Sequence, residues 1–332
     1  MSEQEVKPVN TLTESFTPTV GNQKSPPSDK KIPVVELFGP TIEGEGKLIG
    51  TQTHFIRFGL CDYKCRKCDS MHAVEPSMVK ALAAFRTQEE IFAALKEHAE
   101  THNSQHVKNV TFSGGNPAIH DLTELCVLLK ADGWKIFVET QGTKHPSWFG
   151  LCDEIVCSPK SPGMGEAFEA KVFEEFVQHV AELGTVYGVD LSIKVVVFSA
   201  QDLEFAVGVA DLARRAFAAG ASDYDGAISE HWLHNNFFLS LGNPYPPQFG
   251  LDVVDGKMAV VQGFDYPELN EHVDAQPGSA NDYKATEKNT LASVLLNHYN
   301  QLCEEIMKDP RLGFAKFLPQ LHVLVYGNEA GK

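Results

Sequence analysis

Long hydrophobic runs are what this chain of 332 residues most plainly lacks; no apolar stretch is long enough to cross a membrane. A basic start followed by an apolar core is missing too, because the chain opens Met1-Ser-Glu-Gln-Glu-Val, and no secretory signal is read there. Positive charge is scarce, with 28 Lys and Arg against 44 Asp and Glu and a formal net charge of −16. Neutralising phosphates needs a basic face, so a general nucleic-acid binder is excluded, and the acidity reads as solubility. The 7 cysteines are not spaced as a secreted disulfide framework, which suits a reducing compartment and predicts a cytoplasmic protein. No dinucleotide fingerprint follows the first strand, which argues against a Rossmann domain.

Hydrophobic content of 43% with 22% charged residues is that of a soluble globular protein, long enough for one large domain or two small ones. Residues 1–31 are rich in Ser, Thr, Pro and Lys without apolar periodicity and read as a disordered tail. Ordered sequence, expected over 32–328, begins with a strand over 32–38 and a glycine-rich loop, Thr41-Ile-Glu-Gly-Glu-Gly46. Six strands then open at His54, Val107, Lys135, Glu154, Leu191 and Phe237, with helices predicted over 87–99, 121–131, 167–183 and 201–219. Apolar strands alternating with helices indicate an α/β fold, a parallel sheet covered by helices and closed wholly or partly into a barrel. Barrels of this kind carry their chemistry at the carboxyl ends of the strands. Residues 244–288 read as irregular, either a lid or an insertion. A long helix over 285–307 and a terminal segment over 316–328 close the chain.

Three cysteines lie in Cys61-Asp-Tyr-Lys-Cys65-Arg-Lys-Cys68, a C-x3-C-x2-C triplet directly after an apolar run. Thiolates this close can converge on one soft metal centre. A structural zinc site closes with four ligands, whereas three cysteines on an iron-sulfur cube leave the fourth iron open. An open iron is what binding and splitting S-adenosylmethionine requires. Half of a zinc site, completed by a residue such as His72, is the competing use, as are three unconnected cysteines. Cys126, Cys152, Cys157 and Cys303 lie in apolar surroundings and read as core.

Other residues stand out beside the triplet. Gly114-Gly115 ends a strand, where two glycines admit either a ligand or a tight turn. Arg57, just before the cysteine loop, can clamp a carboxylate in bidentate fashion or pair with Glu36 or Glu45. Glu43 and Glu45 can accept N–H donors from a planar heterocycle or belong to a solvated turn. Glu139 and Lys194 are charges in otherwise apolar strands and must meet a ligand or each other. Asp69 and Ser70 offer hard oxygens to Mg²⁺ or cap a helix. His322 lies near the C-terminus, within reach of the site or of the core, and the other histidines show no metal-ligand spacing.

In order along the chain, the segments resemble the 7-carboxy-7-deazaguanine synthase family of radical S-adenosylmethionine enzymes. The most specific pieces are Glu36-Leu-Phe-Gly-Pro-Thr-Ile-Glu-Gly-Glu-Gly46, Phe55-Ile-Arg57-Phe-Gly-Leu-Cys61 and Cys68-Asp-Ser70. Ser113-Gly-Gly-Asn-Pro117, Val138-Glu-Thr-Gln-Gly-Thr143, Ser158-Pro-Lys160 and Leu318-Pro-Gln-Leu-His322 follow. The resemblance implies a partial (β/α) barrel of about six parallel strands with modified helical elements and an insertion. It implies a 4Fe-4S cluster on Cys61, Cys65 and Cys68. S-adenosylmethionine would be held by Lys67, Asp69, Gly115, Glu139, Ser158, Pro159, Lys160, Lys194 and the turn Ser240, Leu241, Gly242 and Asn243. A pterin would be held by Ile42, Glu43, Gly44, Glu45, Arg57, Ser113, Gln320 and His322, and Mg²⁺ by Ser70. The implied reaction is abstraction of a hydrogen from C6 of 6-carboxy-5,6,7,8-tetrahydropterin by a 5′-deoxyadenosyl radical. Ring contraction with loss of ammonia then gives 7-carboxy-7-deazaguanine. A low-potential donor (flavodoxin or ferredoxin) and a homodimer are further expectations of the family. Two departures are Asn116 in the common Gly-Gly-Glu-Pro motif and Asn328 where some members have proline. The competing readings are a glycyl-radical-enzyme activase, which shares the triplet but acts on a protein, and a non-catalytic zinc or iron-sulfur module.

Overall fold

A computed structural model describes residues 30–222, 226–243, 248–254, 257–263 and 280–326. The tail expected over 1–31, but for its last two residues, and Asn328 lie outside the described residues. The strands are β1 (Ile32–Ile42), β2 (Gln52–Phe58), β3 (Ala84–Arg86), β4 (Asn109–Gly114), β5 (Lys135–Thr140), β6 (Glu154–Cys157), β7 (Asp190–Val197), β8 (Phe237–Leu241), β9 (Gln248–Val254), β10 (Lys257–Gly263) and β11 (Lys316–Leu318). The helices are α1 (Met71–Val74), α2 (Pro76–Leu82), α3 (Gln88–Thr101), α4 (Thr123–Ala131), α5 (Ala170–Tyr187), α6 (Ala200–Gly220), α7 (Ala227–Asn236), α8 (Ala280–Lys308) and α9 (Leu321–Tyr326).

Nine strands make one sheet in the order β11-β8-β7-β6-β5-β4-β2-β1-β3. All six strands foreseen from sequence are present and parallel, and β11 adds a seventh beside β8. β1 and β3 are antiparallel at the other edge. The fold is therefore mixed α/β around a parallel sheet.

Period-two alternation divides the sheet into two chemistries. Ile56, Val110, Phe112, Ile136, Val138, Ile155, Ile193, Val195 and Leu239 are buried in one core against the helices. Intervening positions carry Arg57, Ser113, Glu139, Ser158, Lys194 and Ser240. A strand that is half core and half polar still reads as apolar overall when its outward residues are Ile and Val. Helix ends follow local chemistry. Thr87 and Glu90 form a reciprocal capping box on α3, and Gly188, at φ 78°, ends α5 in the left-handed region.

The sheet curls. β8 and β1 are six strand spacings apart in the sheet order, about 29 Å if flat. Yet Glu45, three residues beyond β1, accepts a hydrogen bond from Ser240 of β8 at 3.2 Å. The loop after β1 thus crosses the amino ends of the parallel strands, where Lys47 pairs with Asp190 at 2.5 Å. β3 and β11 are not paired with each other among the described residues, so the curl is open.

The region expected to be irregular over 244–288 contains order. β9 and β10 pair as an antiparallel hairpin with Val254 opposite Lys257, and α8 starts inside the same region. The signal was in the sequence, two β-branched runs flanking Asp255-Gly256, a strong hairpin dipeptide. Nearby Pro and Gly residues masked it.

Candidate active site

Inside the curled sheet is a cavity of ≈ 240 Å³. Its upper wall is the loop after β2. Cys61, Cys65 and Cys68 all line the cavity and all are free thiols. Cys61 Sγ accepts from the Tyr63 amide at 3.4 Å and from Gln141 Nε2 at 3.5 Å. Burial raises all three thiols above their ordinary range, Cys65 to about 11 and Cys68 to about 12. A soft cation would have to displace these protons, since the thiolate is the metal ligand. Among the described residues no three His, Cys, Asp or Glu side chains already stand in a metal-holding arrangement. His72 completes no such group; it faces Glu36 at 3.5 Å. The donor set, three thiols on one cavity, fits an iron-sulfur cluster better than a closed zinc site.

Arg57 stands below this loop and realises its structural option. Its Nε donates to Glu36 at 2.6 Å and its Nη1 to Ser70 Oγ at 2.9 Å. Burial would raise the Glu36 carboxyl, but His72 and Arg57 outweigh it and hold it at about 2. Ser70 begins α1 without capping it; its hydroxyl donates instead to Asp69 at 2.9 Å. The cap reading of Ser70 is thereby replaced by a bridge between a carboxylate and a guanidinium. Phe38 lies under the Arg57 guanidinium at 5.4 Å and stacks on Phe55 at 4.9 Å, giving the cavity an aromatic side.

The floor is a charge network. Lys194 pairs with Glu45 and, at 3.8 Å, with Glu139. Glu45 also accepts from Ser240 at 3.2 Å and from Gln320 at 2.6 Å. Burial opposes ionisation of Glu45, yet Lys194, His322 and Gln320 prevail and hold it at about 2. Glu43 goes the other way. It is buried, with Gly44 N at 3.0 Å and the Thr111 hydroxyl at 3.4 Å as donors, and burial together with Glu139 raises its carboxyl well above the usual range. Three carboxylates around one ammonium cannot all ionise cheaply, and Glu43 is the one whose ionisation burial and Glu139 oppose. Gly44 is glycine because a Cβ would overlap the His322 ring.

The Gly114-Gly115 pair is explained by backbone packing. Gly114 has φ 121°, and a Cβ on either residue would strike the backbone of Phe58 or Leu60. Gly115 N donates to Phe58 O at 3.0 Å and Asn116 N to Leu60 O at 2.9 Å. The glycines seat the end of β4 against the start of the cysteine loop.

No family model matches this chain. It is 32% identical over 303 residues to 7-carboxy-7-deazaguanine synthase of Bacillus subtilis (strain 168), covering 91% of this chain and 99% of that protein. It is 31% identical over 302 residues to the Bacillus cereus protein of the same name, again covering 91% and 99%. The chain belongs to the 7-carboxy-7-deazaguanine synthase family. As a member it is a radical S-adenosylmethionine lyase of the queuosine (7-deazapurine) pathway, and needs a 4Fe-4S cluster and S-adenosylmethionine. A solved structure of QueE from Escherichia coli matches 52% of this chain and 75% of its own at 25% identity, with a TM-score of 0.41.

Most residues that the synthase resemblance assigned lie on the one cavity. These are Ile42, Glu43, Gly44, Glu45, Arg57, Lys67, Asp69, Ser70, Ser113, Gly115, Glu139, Ser158, Lys160, Lys194, Asn243, Gln320 and His322. Pro159, Ser240, Leu241 and Gly242 do not line it. Leu241 is buried in the helix-facing core, Ser240 is spent on Glu45, and Gly242 packs on the Phe198 ring, where a Cβ would overlap. Sequence reasoning missed Phe198, whose ring lies 4.0 Å from Lys67 Nζ. It missed Gln141 and Asp62 as well, although Gln141 follows Glu139 in a segment already singled out. Among the described residues no helix is long and apolar enough to cross a membrane.

Proposed function

We propose that the cavity binds 6-carboxy-5,6,7,8-tetrahydropterin beside S-adenosylmethionine and contracts the pterin ring to 7-carboxy-7-deazaguanine with loss of ammonia. The supporting observation is the convergence of three thiols, one guanidinium and a buried acid–lysine network on a single cavity. Cys61, Cys65 and Cys68 hold the cluster, which with S-adenosylmethionine supplies the carbon radical that starts the reaction. Arg57, fixed by Glu36 and Ser70, presents its cation to the substrate carboxylate. Glu43, neutral and buried, exchanges hydrogen bonds with the N–H edge of the heterocycle. The Glu45–Lys194 pair closes the floor against water, and Phe38 and Phe55 flank the ring. Lys67, Asp69, Gly115, Glu139, Ser158 and Lys160 face the cofactor, joined by Asn243 from the turn after β8. Ser70 and Asp69 would offer hard oxygens to Mg²⁺, which would supply positive charge near the substrate carboxylate.

The curled sheet reads as the partial barrel of the radical S-adenosylmethionine fold, within one catalytic domain over 32–328. A cytoplasmic homodimer reduced by flavodoxin or ferredoxin completes the proposal. An enclosed polar floor suits a small planar substrate better than the polypeptide an activase would need. The test is an anaerobic assay of reconstituted protein with the carboxy-pterin, S-adenosylmethionine and dithionite. Formation of 7-carboxy-7-deazaguanine is the expected result; S-adenosylmethionine cleavage with the pterin unchanged would overturn the substrate assignment.

A further inference from the structure

We propose that Asp62 and Gln141 are positioning residues for the first cluster cysteine, and that Asn116 stands beside them because Asp62 requires an amide there. The inference rests on the cluster site proposed above and adds residues to it that no part of that reading uses.

Asp62 follows Cys61 and gathers donors from two strand ends. Its Oδ1 accepts from Asn116 Nδ2 at 2.8 Å and from Gln141 Nε2 at 2.5 Å, and its Oδ2 from Thr143 Oγ1 at 2.6 Å. Gln141 Nε2 also lies 3.5 Å from Cys61 Sγ. One amide group thus spans the carboxylate and the sulfur. Asp62 turns that amide toward the thiol, and Gln141 with Tyr63 N gives Cys61 two N–H···S contacts.

Asn116 is wholly buried, and both ends of its amide are used. Its oxygen accepts from Ala118 N at 3.2 Å and from Thr140 Oγ1 at 2.8 Å, while its nitrogen donates to Asp62. A glutamate here, as in the common Gly-Gly-Glu-Pro motif, would set a second carboxylate against Asp62 and remove the amide N–H that now donates to Asp62 Oδ1 and lies 3.3 Å from Thr143 Oγ1. Asp62 is exposed but position 116 is fully buried, so a carboxylate at 116 would be desolvated beside a like charge, which disfavours its ionisation. Asp62 and Asn116 therefore act as a pair: the amide at 116 is the partner that a carboxylate at 62 selects. The network anchors the cysteine loop to the ends of β4 and β5, with Gln141 on the cavity and Asp62, Asn116 and Thr143 behind its lining.

Hydrogen bonds to cluster sulfurs favour the reduced, more negative state and raise the reduction potential. Full-length Gln141→Leu, reconstituted anaerobically without S-adenosylmethionine or pterin, keeps native iron content but shows a lower midpoint potential and an altered electron paramagnetic resonance spectrum. A native midpoint and spectrum in this variant would overturn the role of Gln141. Asn116→Glu loses iron several-fold faster to a chelator, and adding Asp62→Asn restores much of the retention. Equal loss in single and double variants would overturn the pairing. Should Asn116→Glu fail to fold, rescue of folding by Asp62→Asn reads the same coupling. A native chain that takes up zinc and no iron sinks the cluster reading and this inference together; a native cluster unmoved by Gln141→Leu sinks this inference alone.

Discussion

The two ends of the cavity hold their polar groups in opposite ways. At the floor, Lys194, Glu45, Glu139, Ser240 and Gln320 close on one another, so the polar groups there find their partners within the protein. At the cysteine loop, Cys61, Cys65 and Cys68 meet the same cavity, with a few N–H groups, among them those of Tyr63 and Gln141 on Cys61, as their protein donors. A buried charge network satisfied internally is a rigid floor. Thiols gathered on one cavity are donors that a soft metal centre can recruit by displacing their protons. The comparison separates the part of the site that is built by folding from the part that is built by loading.

The largest way to break this contrast is Cys65→Ala. Two remaining thiolates do not hold a cube with one open iron, so iron content and turnover both vanish while the apo-protein melts near the native temperature. Iron analysis beside thermal denaturation reads both halves. Lys194→Met attacks the other end. It strands Glu45 beside Glu139 and destabilises the chain by about 3–5 kcal/mol in a denaturant titration, largely recovered by adding Glu45→Gln. If Lys194→Met leaves stability unchanged, the floor is not the closed network described.

Arg57→Lys probes the boundary between the two ends. A point charge cannot satisfy Glu36, Ser70 and a substrate carboxylate together, so KM for the pterin rises by roughly tenfold while S-adenosylmethionine cleavage without pterin persists. Unchanged KM would leave Arg57 as a purely structural residue.

The paired glutamates sharpen the comparison by pH. Glu45, depressed to about 2 on folding, contributes stability that is full above the ordinary carboxylate value of 4.5 and is lost as pH falls toward 2. Glu43 is raised, so its contribution is present below 4.5 and lost as pH climbs through its folded value. Glu45→Gln should flatten the acid limb of a stability–pH profile, and Glu43→Gln the limb above it. Identical profiles for both variants would refute the opposite assignments. The smallest effect is Ser70→Ala, which should retain its cluster but lose Mg²⁺ stimulation of turnover in metal-stripped buffer, whereas Ser70→Thr keeps it.

Much of this was legible beforehand because β-strands carry their function at alternate positions. Arg57, Glu139 and Lys194 announced the polar face simply by interrupting apolar strands, and the C-x3-C-x2-C spacing marked the loop after β2. Partner choice was not legible. Nothing local says that Lys194 prefers Glu45, 149 residues away, over Glu139. Gly114 and Gly115 looked able to admit a ligand, yet the close approach is that of the backbone at Phe58 and Leu60. The hairpin of β9 and β10 hid among prolines and glycines whose turn chemistry was read as absence of order. Asp62 went unnoticed because an aspartate between cysteines carries no pattern; only the three donors meeting it reveal its place.

The floor also dictates when a newly made chain can acquire its site. Glu45 emerges early from the ribosome, but its donors are Lys194, Ser240 and Gln320, the last of them 275 residues downstream. His322, packed on Gly44, comes later still. Loop closure over such separations is slow and cannot be anticipated by local folding. Until those segments are in place, the acidic loop lacks its partners Lys194, Ser240, Gln320 and His322. Iron delivered to the cysteine loop during translation would meet an unfinished, oxidant-accessible chamber. Closure of the floor therefore waits on the segment around β11 and α9, which carries Gln320 and His322.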